Sequence, residues 1–224
     1  MDDFPIDEPK EIIEGMIRAQ RLLLTGFKGN PKVKKEKWKD AQNPNNAAIS
    51  LAGEPTLYPK IGELIEEFHK KDFSTFLVTN GTRPDRLKNL SEEPTQLYIS
   101  LCAPDEETYL KVHRPLVKDG WKKLNESLEL MNSLKCRTVI RLTLVKELNM
   151  KNPKKYAKLI EKANPMFIEV KGYMWVGESQ KRLPKNAMPF HEDVFEFANK
   201  ISEFSSYEIK DDFKPSRVIL LTRK

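Results

Sequence analysis

Glu54 is the residue whose type and setting point most directly at chemistry. A short apolar run over residues 47–51 breaks in Gly53-Glu54-Pro55, and a helical pattern opens after it. This sets one carboxylate at the C-terminal end of a buried strand, where parallel sheets gather their ligands. Gly53 lets the backbone approach a ligand, and Pro55 forbids the strand from continuing. The arrangement suits a ligand's ammonium group, and equally a βα turn with a solvated glutamate. A second cluster lies in residues 31–39, where five lysines and Trp38 occupy nine positions. Lysines such as Lys34, Lys35 and Lys37 neutralise phosphates, and an indole face can stack on an unpaired base. The alternative is a solvated helix start with Trp38 tucked against the core.

The elements that must position these groups recur along the chain. Residues 75–81 form an apolar run ending in Thr79, Asn80 and a glycine, and residues 96–104 form another, stopped by proline. Residues 137–145 alternate aliphatic side chains with Arg137, Arg141 and Thr143, and residues 167–173 do likewise with Glu169 and Lys171. A period of two with one polar face predicts strands whose sheet encloses a wet site. Residues 217–223 are the last strand candidate. Between the runs, apolar residues at helical spacing predict helices over 59–71, 119–134, 153–163 and 191–204. Strand and helix alternate throughout, which predicts parallel β/α units in a single domain over residues 1–224.

Composition agrees with such a domain. The chain has 224 residues, 39% of them apolar, and a net charge of +6, enough to fill one core and a weak pointer to a polyanionic partner. No run of about 18 apolar residues exists to span a membrane, and the acidic start is no signal peptide. Two cysteines suit a reducing compartment, with the cytoplasm as the default.

Taken together, the segments 26–29, 50–59 (with Thr-Leu-Tyr-Pro), 76–82, 94–100 (with Thr-Gln-Leu-Tyr), 137–146 and 167–174 resemble the tRNA 4-demethylwyosine synthases in their archaeal form. These are radical S-adenosylmethionine (SAM) enzymes of wybutosine biosynthesis, and the resemblance covers essentially the whole chain in order. It implies an incomplete parallel (β/α) barrel of radical SAM type and a carbon–carbon lyase. The reaction it implies condenses N1-methylguanosine beside the tRNA-Phe anticodon with two carbons of pyruvate. SAM, a [4Fe-4S] cluster held by three closely spaced cysteines, and an electron donor are implied with it.

By the same resemblance Gly53 and Glu54 grip the SAM ammonium, Thr79 and Asn80 border the SAM and substrate pocket, and Ser100, Arg141 and Thr143 are polar contacts to SAM. Lys171 is the implied residue near pyruvate, since burial beside a cation such as Arg141 favours the neutral amine that forms an imine with a keto acid. The competing reading pairs Lys171 structurally with Glu169. The family's Cys-x-x-x-Cys-x-x-Cys motif has no counterpart, because Cys102 and Cys136 are far apart and neither has metal-ligand spacing. Cys102 also stands where many radical SAM relatives carry an acidic residue. The chain is therefore expected to lack the first barrel strand and cluster loop, as a fragment of the enzyme. The alternative is a non-catalytic tRNA- or SAM-binding remnant acting as a partner protein.

Overall fold

The computed structural model describes residues 5–51 and 53–224. Its strands form wherever apolar residues alternate with polar ones. β1 (Asn46–Ile49), β2 (Ser74–Thr79), β3 (Gln96–Ser100), β4 (Arg137–Leu144) and β5 (Phe167–Gly172) lie side by side in sequence order, each parallel to the next. The sheet is open. It continues past β5 through β7 (Val218–Arg223) to the edge strand β6 (Tyr207–Phe213).

One face of this sheet is the core. Leu77, Leu97, Ile99, Ile140, Leu142, Ile168 and Val170 are fully buried, in one cluster with residues of the flanking helices. Those helices include α3 (Ile61–His69), α6 (Gly120–Leu130), α7 (Pro153–Ala163) and α8 (His191–Glu203), all within the expected segments. Each contributes its apolar stripe: Leu64, Ile65 and Phe68 from α3, Leu124 and Leu128 from α6, Tyr156 and Ile160 from α7, Val194 and Ile201 from α8.

Two features correct the expectation of uninterrupted parallel units. β7 runs antiparallel to β5, and β6 antiparallel to β7, and the connection between β6 and β7 is a single 3-10 turn over Lys214–Ser216, too short for a helical crossover. β6 itself escapes the apolar-run criterion, since only its first residue, Tyr207, is buried and its second half carries Asp211 and Asp212. The short helices α4 (Pro84–Lys88) and α5 (Glu106–His113) also lie outside the predicted set.

Ahead of the sheet, α1 (Pro9–Leu24) and α2 (Lys35–Ala41) lead into β1. The start of α1 lies near the loop after β1, through Lys60 on Glu8 at 2.5 Å and the Tyr58 hydroxyl on the Asp7 carbonyl at 2.7 Å. Its last turns lie beside the segment entering β1, through Arg21 on the Gln42 carbonyl at 2.9 Å. No helix among the described residues is long and apolar enough to cross a membrane.

Candidate functional site

At the C-terminal ends of the parallel strands the uncovered face of the sheet carries a polar array in two layers, fixed by register. Ser100 lies opposite Arg141 and Arg141 opposite Glu169. One step further toward the strand ends, Thr143 lies opposite Lys171, and Lys171 opposite Val218. All of these polar residues are half-buried. They sit at the alternate positions of strands whose other face is the core, so strand periodicity alone delivers them to one surface.

Arg141 organises the first layer. Its Nε donates to Glu169 Oε2 at 2.7 Å, and its guanidinium carbon sits 4.3 Å from the centroid of the Tyr98 ring. Gln96 Nε2 in turn donates to the Tyr98 hydroxyl at 2.6 Å. Burial, with the Glu169 charge adding to it, pushes the Tyr98 phenol above its ordinary value against the opposing pull of Arg141. The consequence falls on Lys171. Glu169, the expected structural partner of that lysine, is taken by Arg141, and Lys171 makes no ion pair among the described residues. Tyr98 and Gln96 were not foreseen as part of the array, although they share the alternate positions of their run with Ser100.

Glu54 plays a part that its sequence setting did not reveal. Its Oε1 accepts from the Thr56 amide at 3.1 Å, the Thr56 hydroxyl at 2.6 Å and the Thr79 hydroxyl at 2.6 Å, and its Oε2 accepts from the Asn80 amide at 2.8 Å. The carboxylate therefore ties the loop after β1 to the end of β2 and keeps spare acceptor capacity on Oε2 for a ligand donor. Thr79 is 1% exposed and spends its hydroxyl on this tie. Asn80 turns its side-chain carbonyl onto the Thr82 amide and hydroxyl at 2.9 and 2.6 Å, leaving its NH2 group as the available donor. Gly53, at φ +85° with open space around it, holds a backbone conformation that other residues enter with strain.

Truncation of this carboxylate has a direct cost. Glu54→Ala leaves four donors without their acceptor and is expected to lower unfolding free energy by about 3 kcal/mol, the size of one or two charge-assisted hydrogen bonds. The urea midpoint should fall with the denaturant slope unchanged. An unaltered midpoint would return Glu54 to the status of a solvated turn residue.

The lysine-rich segment lies elsewhere. Trp38 donates its indole N–H to the Leu24 carbonyl at 2.9 Å, with Lys28 Nζ 5.8 Å from the ring centroid, and its side chain is half-buried. α1 begins beside the loop that carries Glu54 and ends beside Trp38. Its 16 residues thus separate Lys34, Lys35 and Lys37 from the polar array by roughly 20–25 Å of helix.

The thiols do not converge either. Cys102 follows the C-terminal end of β3, and Cys136 precedes the N-terminal end of the adjacent parallel strand β4. The two therefore stand at opposite ends of the sheet, roughly 20–25 Å apart. Burial pushes the Cys102 thiol up, and burial with the Glu93 carboxylate pushes Cys136 up to about 12, so both resist forming the thiolate that binds metal. No group of three metal-ligating side chains exists among the described residues. The residues of this chain do not fit a [4Fe-4S] cluster.

Comparison with known proteins matches this geometry to a lineage. The radical SAM superfamily model matches residues 31–160, and the wyosine base formation model matches residues 162–223. One sheet runs through both regions. The S-adenosyl-L-methionine-dependent tRNA 4-demethylwyosine synthase of Pyrococcus horikoshii is 56% identical over 223 residues, covering 98% of this chain and 65% of the relative. The Methanocaldococcus jannaschii enzyme of the same name is 41% identical over 216 residues, covering 96% and 68%. The chain thus spans about two thirds of the length of these relatives. A solved structure of TYW1 with a lysine-pyruvate adduct bound superposes with a TM-score of 0.89 at 39% identity, over 97% of this chain and 70% of that one. The crystal structure of archaeal TYW1 gives 0.84 at 36% identity, over 100% and 73%. On identity, coverage and fold together, this chain belongs to the tRNA 4-demethylwyosine synthase family of radical SAM enzymes.

Proposed function

We propose that this chain supplies the SAM- and pyruvate-binding face of a tRNA-modifying enzyme that converts N1-methylguanosine beside the tRNA-Phe anticodon to 4-demethylwyosine, in the cytoplasm. The observation that carries the reading is Lys171: a half-buried amine on the polar face whose neighbouring carboxylate is already held by Arg141. The neutral form of a lysine amine is a nucleophile toward keto carbons, and no carboxylate among the described residues holds this one in an ion pair. Its Nζ attacks the keto carbon of pyruvate, the carbon–oxygen double bond becomes a carbon–nitrogen double bond, and the oxygen leaves as water with both amine hydrogens. A family relative whose structure is described as holding a lysine-pyruvate adduct supports this assignment.

SAM, when bound, supplies the radical chemistry of this superfamily. In this chain its amino group would meet the free acceptor capacity of Glu54 beside the backbone of Gly53. The Asn80 amide group and the hydroxyls of Ser100 and Thr143 would face the rest of the molecule, while Arg141 would hold the strand-end geometry. On the same reading Lys34, Lys35 and Lys37 take phosphates of the tRNA body far from the reacting base, each a salt-sensitive contact. Trp38 then serves to fix α2 against α1.

Reductive trapping tests the proposal on this chain as it stands. Incubation with pyruvate and borohydride should deliver hydride to the imine carbon and leave a stable adduct, which peptide mass spectrometry should find on Lys171. An adduct spread over surface lysines, or none, would remove Lys171 from the chemistry.

A further inference from the structure

Three segments that are distant in sequence meet at the rim beside Lys171, and their side chains have no part in the chemistry described so far. Lys146 comes two residues after the end of β4, Phe190 is the residue before α8, and Arg217 immediately precedes β7. Because β7 is antiparallel to β5, its first residues lie at the same end of the sheet as the last residues of β5. The packing there is close. The Gly172 amide donates to the Arg217 carbonyl at 3.0 Å, and a Cβ on Gly172 would lie 3.2 Å from Pro189 Cγ and 3.4 Å from Arg217 Cβ. Gly172, one step past Lys171 on β5 and turned to the helix side of the sheet, is thus the floor on which Pro189 and Arg217 rest.

Phe190 stands on this floor as a residue 62% exposed. Its backbone is pinned, since its amide donates to Asp193 Oδ2 at 2.7 Å. The Arg217 guanidinium carbon is 5.7 Å from the ring centroid and Lys146 Nζ is 5.4 Å from it. Lys146 is neutralised by Asp193 at 2.6 Å. Arg217 is not: its Nη1 donates to the Pro189 carbonyl at 2.6 Å, and it pairs with no carboxylate among the described residues. The result is a fixed aromatic face in water beside a guanidinium that keeps its charge and most of its donors.

We propose that Phe190 is a stacking platform for the unpaired base adjacent to the modified guanosine, with Arg217 on that nucleotide's phosphate. The inference rests on the tRNA-modifying reading above. An enzyme that does chemistry on a base must draw it out of the stack, and the neighbouring base then loses a partner. Single-stranded RNA is held in this way, on aromatic faces with a cation on the backbone. The platform stands at the C-terminal rim of the strand that carries Lys171, one strand position past it and on the helix side, where the neighbour of a base drawn over the rim to the site would fall, and the bare charge of Arg217 favours a nucleotide over an apolar protein side chain.

The test uses this chain and an RNA hairpin with the anticodon-loop sequence, carrying 2-aminopurine next to the target guanosine on either side. Anisotropy reads affinity and 2-aminopurine fluorescence reads stacking. The parent should bind and quench the probe on one side. Phe190→Leu, which keeps the apolar bulk but has no ring face, should lose the quenching and bind roughly ten- to a hundredfold more weakly, while Phe190→Trp should retain both. Arg217→Asn, compatible with the φ of +50° at that position, should lower the slope of log K against log[salt] by about 0.7. Phe204→Ala is the control and should bind and quench like the parent, because that residue is also exposed, at 47%, and also carries a lysine above its ring, but lies at the far end of α8. Binding and quenching by Phe190→Leu equal to the parent would overturn the platform and leave the tRNA reading intact. Failure of the parent to bind any hairpin would overturn the tRNA reading itself.

Discussion

Lys171→Arg, in an enzyme that is supplied with a three-cysteine cluster segment, is expected to fold, bind SAM and cleave it, and to form no tricyclic base. Arginine preserves the positive charge opposite Thr143 and close to Glu169, so the polar array keeps its electrostatic balance. It cannot form the imine, because a guanidinium stays protonated and is a poor nucleophile. Loss of a covalent participant that acts as part of a unit costs at least about a thousandfold in rate, whereas loss of mere charge pairing at a half-exposed site costs little. The measurement is product formation by mass spectrometry of digested tRNA, alongside 5′-deoxyadenosine release from SAM. Full product formation by the variant would exclude the imine and leave pyruvate to a metal ion or to charge pairing.

The second large effect concerns the cluster. The 224-residue chain alone, reconstituted anaerobically with iron and sulfide, is expected to show no stable [4Fe-4S] absorbance or EPR signal and to release no 5′-deoxyadenosine. Cysteine-ligated [4Fe-4S] clusters are held by four thiolates, so one that leaves an iron open for SAM still needs three. This chain offers two thiols at opposite ends of parallel strands, both made harder to ionise by burial. A site-differentiated cluster on this polypeptide would refute the prediction. A remnant that serves only as a tRNA- or SAM-binding partner would share the negative result, so the two readings separate on the borohydride adduct at Lys171, which a remnant would not form.

Much of the fold was legible because periodicity is a local property. The runs at 75–81, 137–145 and 167–173 became β2, β4 and β5, and the stripe Ile61, Leu64, Ile65, Phe68 became the buried face of α3. What local pattern cannot supply is register and direction. That Arg141 and not Lys171 takes Glu169 depends on β4 and β5 aligning residue for residue, and that alignment frees the lysine. The antiparallel entry of β7, which brings Arg217 to the rim, depends on a hairpin instead of a helical crossover. The lysine run at 31–39 was legible as a phosphate-binding candidate, but its distance from the polar array depends on α1, which separates the two by its own length. Glu54 shows the same limit in another form. Its position at a strand end was evident, while its four internal donors come partly from Thr79 and Asn80, 25 and 26 residues away.

The unequal character of β6 bears on how this chain behaves when crowded. A sheet edge with regular spacing and apolar residues invites a strand from another molecule. β6 closes its side of the sheet with a register irregularity between Ile209 and Asp211 and with a second half that is exposed and acidic. A strand docking there would have to bury the carboxylates of Asp211 and Asp212 against its own backbone. The hairpin that delivers Arg217 to the rim therefore also guards against aggregation, keeping the polymer of sheets that an open β/α domain could seed from growing at that edge.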